Sequence, residues 1–282
     1  MIFDFRYADL DIAPGGEWFK RTNWTVKDLR DKIMESQMEI QKYGWSANFI
    51  ENHDQPRATT KYLGMAEDNP NAVKALSAMY FFLRGMPFIY QGQELGMTNF
   101  KRDSIKEFND ISSIDQYYRA MEEGYSSEKA LWFINQRSRD NARTPFPWNN
   151  EKYGGFSSAQ PWIAMSDENL KRNAQVQIGM AGSILEFYRE MIQFRQHGLY
   201  RECLIYGNIE PVESSQNVIA YRRFTEEENI YCWFNLGSTE TEEHLPYKDV
   251  EQIWGNYGKA DVQKGILKLL PYQAVMLKTI RR

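Results

Sequence analysis

Short apolar segments alternate with helical segments in the first part of the chain, and this alternation most restricts the possible folds. The segments with the composition of buried strands are residues 1–5, 49–50 and 86–90. A helix is predicted from about Thr25 to about Lys42. A second begins at the capping pair Asn69-Pro70 and ends at Gly85. Strands that alternate with helices are typical of a parallel α/β sheet.

The second predicted strand ends in a cluster of polar residues. Its apolar lead-in is followed by Glu51, Asn52, His53 and Asp54, and Pro56 comes two residues later. Pro56 stops the strand and excludes the helical conformation at Gln55, so Asp54 is held in a short, stiff loop. Catalytic faces of βα barrels are built at the carboxyl ends of strands. The corner is therefore a candidate site, although such a turn can also serve only to hold a loop.

The run Asn52-His53-Asp54-Gln55-Pro56-Arg57 resembles the seventh barrel strand of the α-amylase superfamily of glycoside hydrolases, in particular its α-glucosidase and oligo-1,6-glucosidase branch. The resemblance implies that His53 hydrogen-bonds a glucose hydroxyl. It also implies that Asp54 holds two neighbouring hydroxyls and stabilises the transition state. The chemistry agrees, because a carboxylate has two acceptor oxygens and makes strong hydrogen bonds.

Two later segments carry the same resemblance. Residues 91–97 resemble the family's eighth barrel strand, and we interpret Glu94 there as a structural rather than a catalytic carboxylate. Residues 137–148 resemble the branch's arginine segment, which implies that Arg139 reaches the terminal glucose and Arg143 lies near the next subsite. Relatives continue with Met-Gln-Trp where this chain has Phe-Pro-Trp. Alternatively, Arg139 and Arg143 only pair with surface carboxylates.

The predicted organisation is a partial (β/α)8 TIM barrel over residues 1–198 and an all-β sandwich over residues 199–282. A long loop insert occupies residues 98–171, with helices near 111–123 and 127–136. A helix over residues 173–197 ends at Gly198, and the pattern then changes to period two. The predicted strands there are residues 203–206, 218–224, 230–235, 250–254, 266–269 and 274–280.

Composition excludes several classes of partner. The net charge is −4, without a basic stripe, which argues against nucleic acid and anionic membranes. No apolar run reaches membrane-spanning length, so we expect a cytoplasmic protein. The two cysteines, Cys203 and Cys232, lack metal-type spacing, and whether they form a bridge is open. We expect no metal and no cofactor.

The resemblance does not extend to the reacting acids. Retaining glycosidases use two carboxyl groups roughly 5 Å apart. In the family these follow the fourth and fifth barrel strands, whereas this chain matches strands six to eight. We therefore expect the C-terminal half of an enzyme acting on terminal α-linked glucose of small oligosaccharides, as a truncated product or fragment. By family it is a glycoside hydrolase, and the isolated chain is expected to be inactive.

Two alternatives are open. In the first, the chain is an assembly module that complements a separate N-terminal half, or that self-associates through open barrel edges. In the second, it is a hydrolase that pairs Glu51 or Glu94 with Asp54. The sequence leaves the choice between α-1,4 and α-1,6 linkages open.

Overall fold

The computed structural model describes residues 1–247 and 249–280. Three short strands form a parallel sheet in the order β1-β2-β3: β1 (Ile2–Phe3), β2 (Ser46–Asn48) and β3 (Met86–Pro87). The helices of this part are α1 (Val26–Ile40), α2 (Pro70–Phe81), α3 (Ile111–Glu122), α4 (Ser127–Arg137), α5 (Asp167–Lys171), α6 (Ala174–Gln177), α7 (Ile184–His197) and α8 (Arg201–Tyr206). Single helical turns lie at Thr59–Leu63, Gly64–Ala66, Gln93–Leu95, Ile105–Glu107, Arg139–Asn141 and Lys152–Gly155.

Both predicted helix starts are confirmed. The Thr25 hydroxyl accepts a hydrogen bond from the Asp28 N–H, and the Asp28 carboxylate accepts one from the Thr25 N–H at 2.8 Å. This reciprocal cap satisfies free donors of the first turn of α1. The Asn69 side chain caps α2 by accepting hydrogen bonds from the Asn71 and Ala72 N–H groups. Because α1 and α2 connect parallel neighbours, the predicted partial barrel is confirmed.

One glycine allows the chain to pass from α2 into β3. Gly85 has φ 129°, and a Cβ added there would lie 2.2 Å from the Ser46 carbonyl oxygen of β2. A side chain at this position would therefore push the two backbones apart. Helix α2 itself ends at Phe81, earlier than the sequence predicts.

The C-terminal part is a sandwich of two antiparallel sheets, as predicted. The larger sheet has the order β4-β5-β6-β11-β8 and the smaller one the order β7-β10-β9. Their strands are β4 (Asn208–Pro211), β5 (Val218–Phe224), β6 (Asn229–Asn235), β7 (Thr241–His244), β8 (Val250–Gly255), β9 (Asp261–Gln263), β10 (Ile266–Leu269) and β11 (Ala274–Thr279). Between the sheets, Val218, Trp233 and Leu277 pack against Leu267 and Leu269.

The other face of the larger sheet packs on the helices. Alternate residues of β5 and β6, including Tyr221 and Phe234, join one buried cluster with Met79 of α2 and Met191 of α7. This is the period-two pattern read from the sequence, with both faces of the sheet covered. Cys203 and Cys232 belong to the same cluster as free, buried thiols.

Two sequence predictions are wrong. Residues 203–206 form helix α8 instead of a strand, because four apolar residues do not distinguish the two states. The continuous helix over residues 173–197 is interrupted between α6 and α7, where Gly179 and Gly182 adopt φ of 73° and 78°. Left-handed glycines end a helix rather than continue it. The short strands β4, β7 and β9 were not predicted.

Candidate active site

The predicted polar corner lies on an exposed loop directly after β2. Phe49 and Ile50 are buried, whereas the side chains of His53 and Asp54 are 67% and 45% exposed. The Asn52 side-chain oxygen accepts a hydrogen bond from the Asp54 N–H at 2.8 Å, which fixes the turn. The loop therefore presents His53 and Asp54 to solvent at the carboxyl end of the parallel strands.

All four predicted site residues come together, and we call them the His-Asp-Arg cluster: His53, Asp54, Arg139 and Arg143. Arg143 Nη2 lies 2.7 Å from Asp54 Oδ1, and Arg139 Nη1 lies 3.7 Å from the same oxygen. His53 Nε2 lies 3.2 Å from Asp54 Oδ2. Arg143 Nε donates to the His53 carbonyl oxygen at 3.0 Å. The insert thus brings two guanidinium groups to one carboxylate that follows β2.

Arg139 is held in place by a second carboxylate. Its Nε donates to Asp110 Oδ1 at 3.0 Å, and its Nη2 donates to the Ser112 hydroxyl at 2.8 Å. Burial opposes ionisation of Asp110, but hydrogen bonds from Arg139 and Ser113 outweigh it and lower the Asp110 pKa. The hydrogen bond to Asp110 in turn raises the pKa of Arg139. Arg139 is therefore charged and oriented, with Nη1 directed toward Asp54.

A buried ion pair lies beside the cluster. Arg57 Nη1 donates to Glu51 Oε1 at 2.6 Å, and both side chains are 1% exposed. Glu51 Oε2 accepts from the Ala58 N–H at 2.8 Å. Burial raises the pKa of Glu51, and Arg57 acts against that rise. Both Glu51 oxygens accept hydrogen bonds from within the protein, which is typical of a structural carboxylate.

Arg57 also connects three loops. Besides Glu51, it donates to the carbonyl oxygens of Gln91 at 2.7 Å, Asn141 at 3.2 Å and Ala142 at 3.3 Å. Asn141 and Ala142 lie between Arg139 and Arg143. One guanidinium therefore fixes the arginine segment against the loops after β2 and β3. No local pattern predicts this role, because the partners are about 35 and 85 residues away from Arg57.

A second charged network anchors the loop after β1. The Asp11 carboxylate contacts Arg21 at 2.6 Å, Arg137 at 2.9 Å and Lys61 at 3.3 Å. Burial opposes ionisation of Asp11, but these cations lower its pKa. Burial lowers the pKa of Lys61 to about 8. Arg137 is the first residue of the arginine segment, so this network fixes the position at which that segment begins.

Glu94 lies on the helical turn Gln93–Leu95 after β3 and is partly buried. Burial raises its pKa, and repulsion from Glu51 adds to the effect. Within residues 1–247 and 249–280, its Oε2 is buried without a hydrogen-bond partner. Its predicted structural role remains a prediction.

Parallel βα units with such a polar cluster at the strand ends, followed by a β-sandwich, define the class of barrel-type glycoside hydrolases. Residues 1–206 match the family model described as alpha amylase, catalytic domain. The chain belongs to the alpha-amylase family, as the sequence resemblance predicted. No helix in the described ranges is long and apolar enough to cross a membrane. A cytoplasmic location remains a prediction.

Relatives of known activity support the same branch. The oligo-1,6-glucosidase of Bacillus cereus is 31% identical over 99% of this chain and 50% of its own length. The alpha-glucosidase of Schizosaccharomyces pombe is 30% identical, with 99% and 50% covered. The chain spans about half the length of these relatives.

Solved structures confirm the fold. The trehalose-6-phosphate hydrolase of Bacillus licheniformis has a TM-score of 0.89 at 30% identity, with 99% of this chain and 51% of that chain covered. The isomaltulose synthase SmuA of Protaminobacter rubrum has a TM-score of 0.89 at 30% identity, with 98% and 50% covered.

Proposed function

We propose that this chain supplies the glucose-binding half of an α-glucosidase-type active site for small oligosaccharides with terminal α-linked glucose. The observation that carries the proposal is the convergence of His53, Arg139 and Arg143 on the exposed carboxylate of Asp54. A carboxylate can accept two sugar hydroxyls, and a guanidinium offers fixed donors to a third. The relatives named oligo-1,6-glucosidase and alpha-glucosidase support the choice of glucose as the ligand.

Each residue has a distinct role in the proposal. Asp54 accepts two hydroxyls of the terminal glucose and stabilises the positive charge of the transition state. His53 donates to a neighbouring hydroxyl. Arg139, oriented by Asp110, contacts the same sugar, and Arg143 lies toward the next subsite. Asp54 changes partner on binding, because Arg143 occupies one of its oxygens when sugar is absent.

We infer that the chain alone does not turn over substrate. A retaining mechanism requires a nucleophile and an acid roughly 5 Å apart. Glu51 and Asp110 are carboxylates beside the cluster, and each is paired with an arginine. These contacts do not favour the alternative in which Glu51 reacts together with Asp54.

Binding of isomaltose to the full chain tests the proposal, with saturation-transfer NMR as the measurement. Asp54→Asn removes a charged acceptor, so we expect about 10- to 100-fold weaker binding, the factor that corresponds to about 1.5–3 kcal/mol. Arg119→Met is the control, because Arg119 is an exposed arginine of the insert that pairs with Glu17. Unchanged binding in Asp54→Asn would refute the proposal, as would near-enzyme hydrolysis of p-nitrophenyl α-glucoside by the chain alone.

We further propose that a second βα polypeptide pairs with the edges of the small sheet. Among the described strands, β1 and β3 each pair only with β2. Large apolar side chains beside them are exposed: Met1, Ile2, Phe3, Phe5, Met86, Phe88 and Ile89. A groove of about 560 Å³ runs along β3 and is lined by Met86, Ile89 and Ile192. Unpaired edges with exposed apolar surface favour association.

Mixing the chain with the other half of the Bacillus cereus relative tests this second proposal. We expect a 1:1 complex in analytical ultracentrifugation and the appearance of glucosidase activity that Asp54→Asn abolishes. A monomeric chain that binds nothing would contradict it. Self-association of the chain would show that a second copy covers these edges instead.

A further inference from the structure

We propose that the outer side of the insert carries a second saccharide-binding site, the Trp132 cleft, separate from the His-Asp-Arg cluster. The Trp132 cleft has a volume of about 600 Å³ and lies between helix α4, residues 99–103 and the turns at residues 60–67. Volumes of this size are typical of small-molecule sites. None of its lining residues belongs to the His-Asp-Arg cluster or to the edge strands β1 and β3.

Trp132 provides an aromatic wall. Its neighbours on α4, Ala130, Phe133 and Ile134, are buried, whereas Trp132 is 44% exposed. The helix therefore directs its largest ring outward. The Lys129 ammonium lies 3.9 Å from the ring centroid but does not line the cleft, so ring surface remains for a ligand. An indole combines a flat apolar face with an N–H donor, which suits a sugar ring.

Arg102 provides a donor that the chain itself does not use. Its backbone is fixed on both sides by Asn135, with hydrogen bonds of 2.7 and 2.8 Å. Its guanidinium lies 4.8 Å from the ring centroids of Phe100 and Phe108. Arg102 is 2% exposed and lines the cleft, yet its Nη2 has no hydrogen-bond partner in the described ranges. Buried donors normally have partners, so this one points to a ligand acceptor.

The charges of the lining disfavour an anionic ligand. The carboxylates of Glu67, Asp103 and Glu128 outnumber the cations of Lys101 and Arg102, so an anion would meet net repulsion.

Several polar groups of the lining are available to hydroxyls. In residues 1–247 and 249–280, the side chains of Lys101, Asp103 and Gln136 make no hydrogen bond to another residue, and each lines the cleft. They offer both donors and acceptors. A saccharide hydroxyl can donate and accept at once, so a neutral saccharide satisfies both kinds of group.

Tryptophan indole NMR of the full chain tests the Trp132 cleft. The Asp54→Asn variant is used throughout, so that glucose binding at the His-Asp-Arg cluster is weakened. Maltotriose and isomaltose are the saccharide probes, and inorganic phosphate is the anionic probe. We expect saccharide to shift the Trp132 indole signal saturably. Trp132→Ala removes that signal, so its affinity is measured by saturation-transfer NMR of the sugar; it should be weakened about tenfold, which corresponds to about 1.4 kcal/mol.

Trp162→Ala is the matched control, because Trp162 is also an exposed tryptophan of the insert, at 70%. It should leave the affinity unchanged. The proposal is overturned if Trp132 responds to phosphate but not to sugar, or if Trp132→Ala binds sugar as well as the control. It is also overturned if about 20 mM sugar gives no saturable shift, since a site with a Kd of about 1 mM would be nearly saturated at that concentration. These outcomes are independent of binding at Asp54, because every comparison is made in the Asp54→Asn variant and the signal followed belongs to Trp132 or is changed by its replacement.

Discussion

Replacing Arg57 with methionine should destabilise the chain strongly, although Arg57 is not one of the predicted glucose-binding residues. The side chain is fully buried, and methionine fills similar space without a charge. Arg57→Met leaves the buried Glu51 carboxylate without its cation. It also removes the donor to the Gln91 carbonyl oxygen. The carbonyl oxygens of Ala142 and Asn141 lose Arg57 as well, but they still accept hydrogen bonds from the hydroxyls of Tyr90 and Thr144.

The expected magnitude follows from these contacts. Breaking a buried ion pair by removing one partner costs about 3–5 kcal/mol. Burial already raises the pKa of Glu51, and loss of Arg57 raises it further. A carboxyl group with a folded-state pKa above its unfolded value contributes stability at low pH and loses it as the pH rises through the folded pKa. The loss of stability in Arg57→Met should therefore be larger at pH 8 than at pH 5.

Urea unfolding at both pH values measures the effect, with Arg189→Met as the control. Arg189 is 53% exposed and pairs with Glu186 on α7, so its loss should cost less than about 1 kcal/mol. Adding Glu51→Gln to Arg57→Met should recover part of the stability at pH 8, because it removes the unpaired charge. A loss below about 1 kcal/mol, or one that is equal at pH 5 and pH 8, would refute this reasoning.

Two further changes test buried cations elsewhere. Arg223 is fully buried and donates to the carbonyl oxygens of Phe82 at 2.7 Å and Leu204 at 2.8 Å, so Arg223→Met should cost about 3 kcal/mol in urea unfolding. Its strand neighbour Arg222→Met, which loses a partly exposed pair with Glu210 and a hydrogen bond to Asn229, is the control, and equal losses would contradict the prediction. Because burial lowers the pKa of Lys61 to about 8 from 10.5, the unfolded chain binds more protons between these values. The free energy of unfolding should rise above pH 8 by up to about 1.4 kcal/mol per pH unit. Lys61→Met should abolish the rise and exposed Lys27→Met should keep it; parallel pH curves for the wild type and Lys61→Met would exclude this effect.

Local signals predicted the elements whose ends are determined by neighbouring residues. Thr25 with Asp28, and Asn69 with Pro70, define helix starts from within four residues. The period-two pattern of β5 and β6 specified two covered faces. The prediction was wrong for residues 203–206, where the outcome depends on distant contacts. Arg223 lies on β5, about 20 residues further along the chain, and donates hydrogen bonds to the carbonyl oxygens of Cys203 and Leu204 in α8.

The candidate site divides in the same way. His53, Asp54, Arg139 and Arg143 were identified because each belongs to a short motif that resembles the family. Glu51 and Arg57 lie in the same motif, but their pairing and the contacts of Arg57 with residues 91, 141 and 142 depend on how three loops fold together. The sequence therefore predicted the four residues of the His-Asp-Arg cluster, and only the structure showed what holds them.

In the proposed function, sugar binding breaks the contact between Asp54 and Arg143, and the free energy lost with this contact is small. Arg143 and Asp54 are 26% and 45% exposed, and an exposed ion pair of this kind contributes about 0–1 kcal/mol. A hydrogen bond to a charged group contributes about 1.5–3 kcal/mol, so two sugar hydroxyls on Asp54 outweigh the loss of the Arg143 contact. Arg139 need not move, because Asp110 and Ser112 hold it independently of Asp54. Arg143 is thus the arginine that changes partner, while Arg139, which Asp110 and Ser112 anchor, keeps the shape of the site.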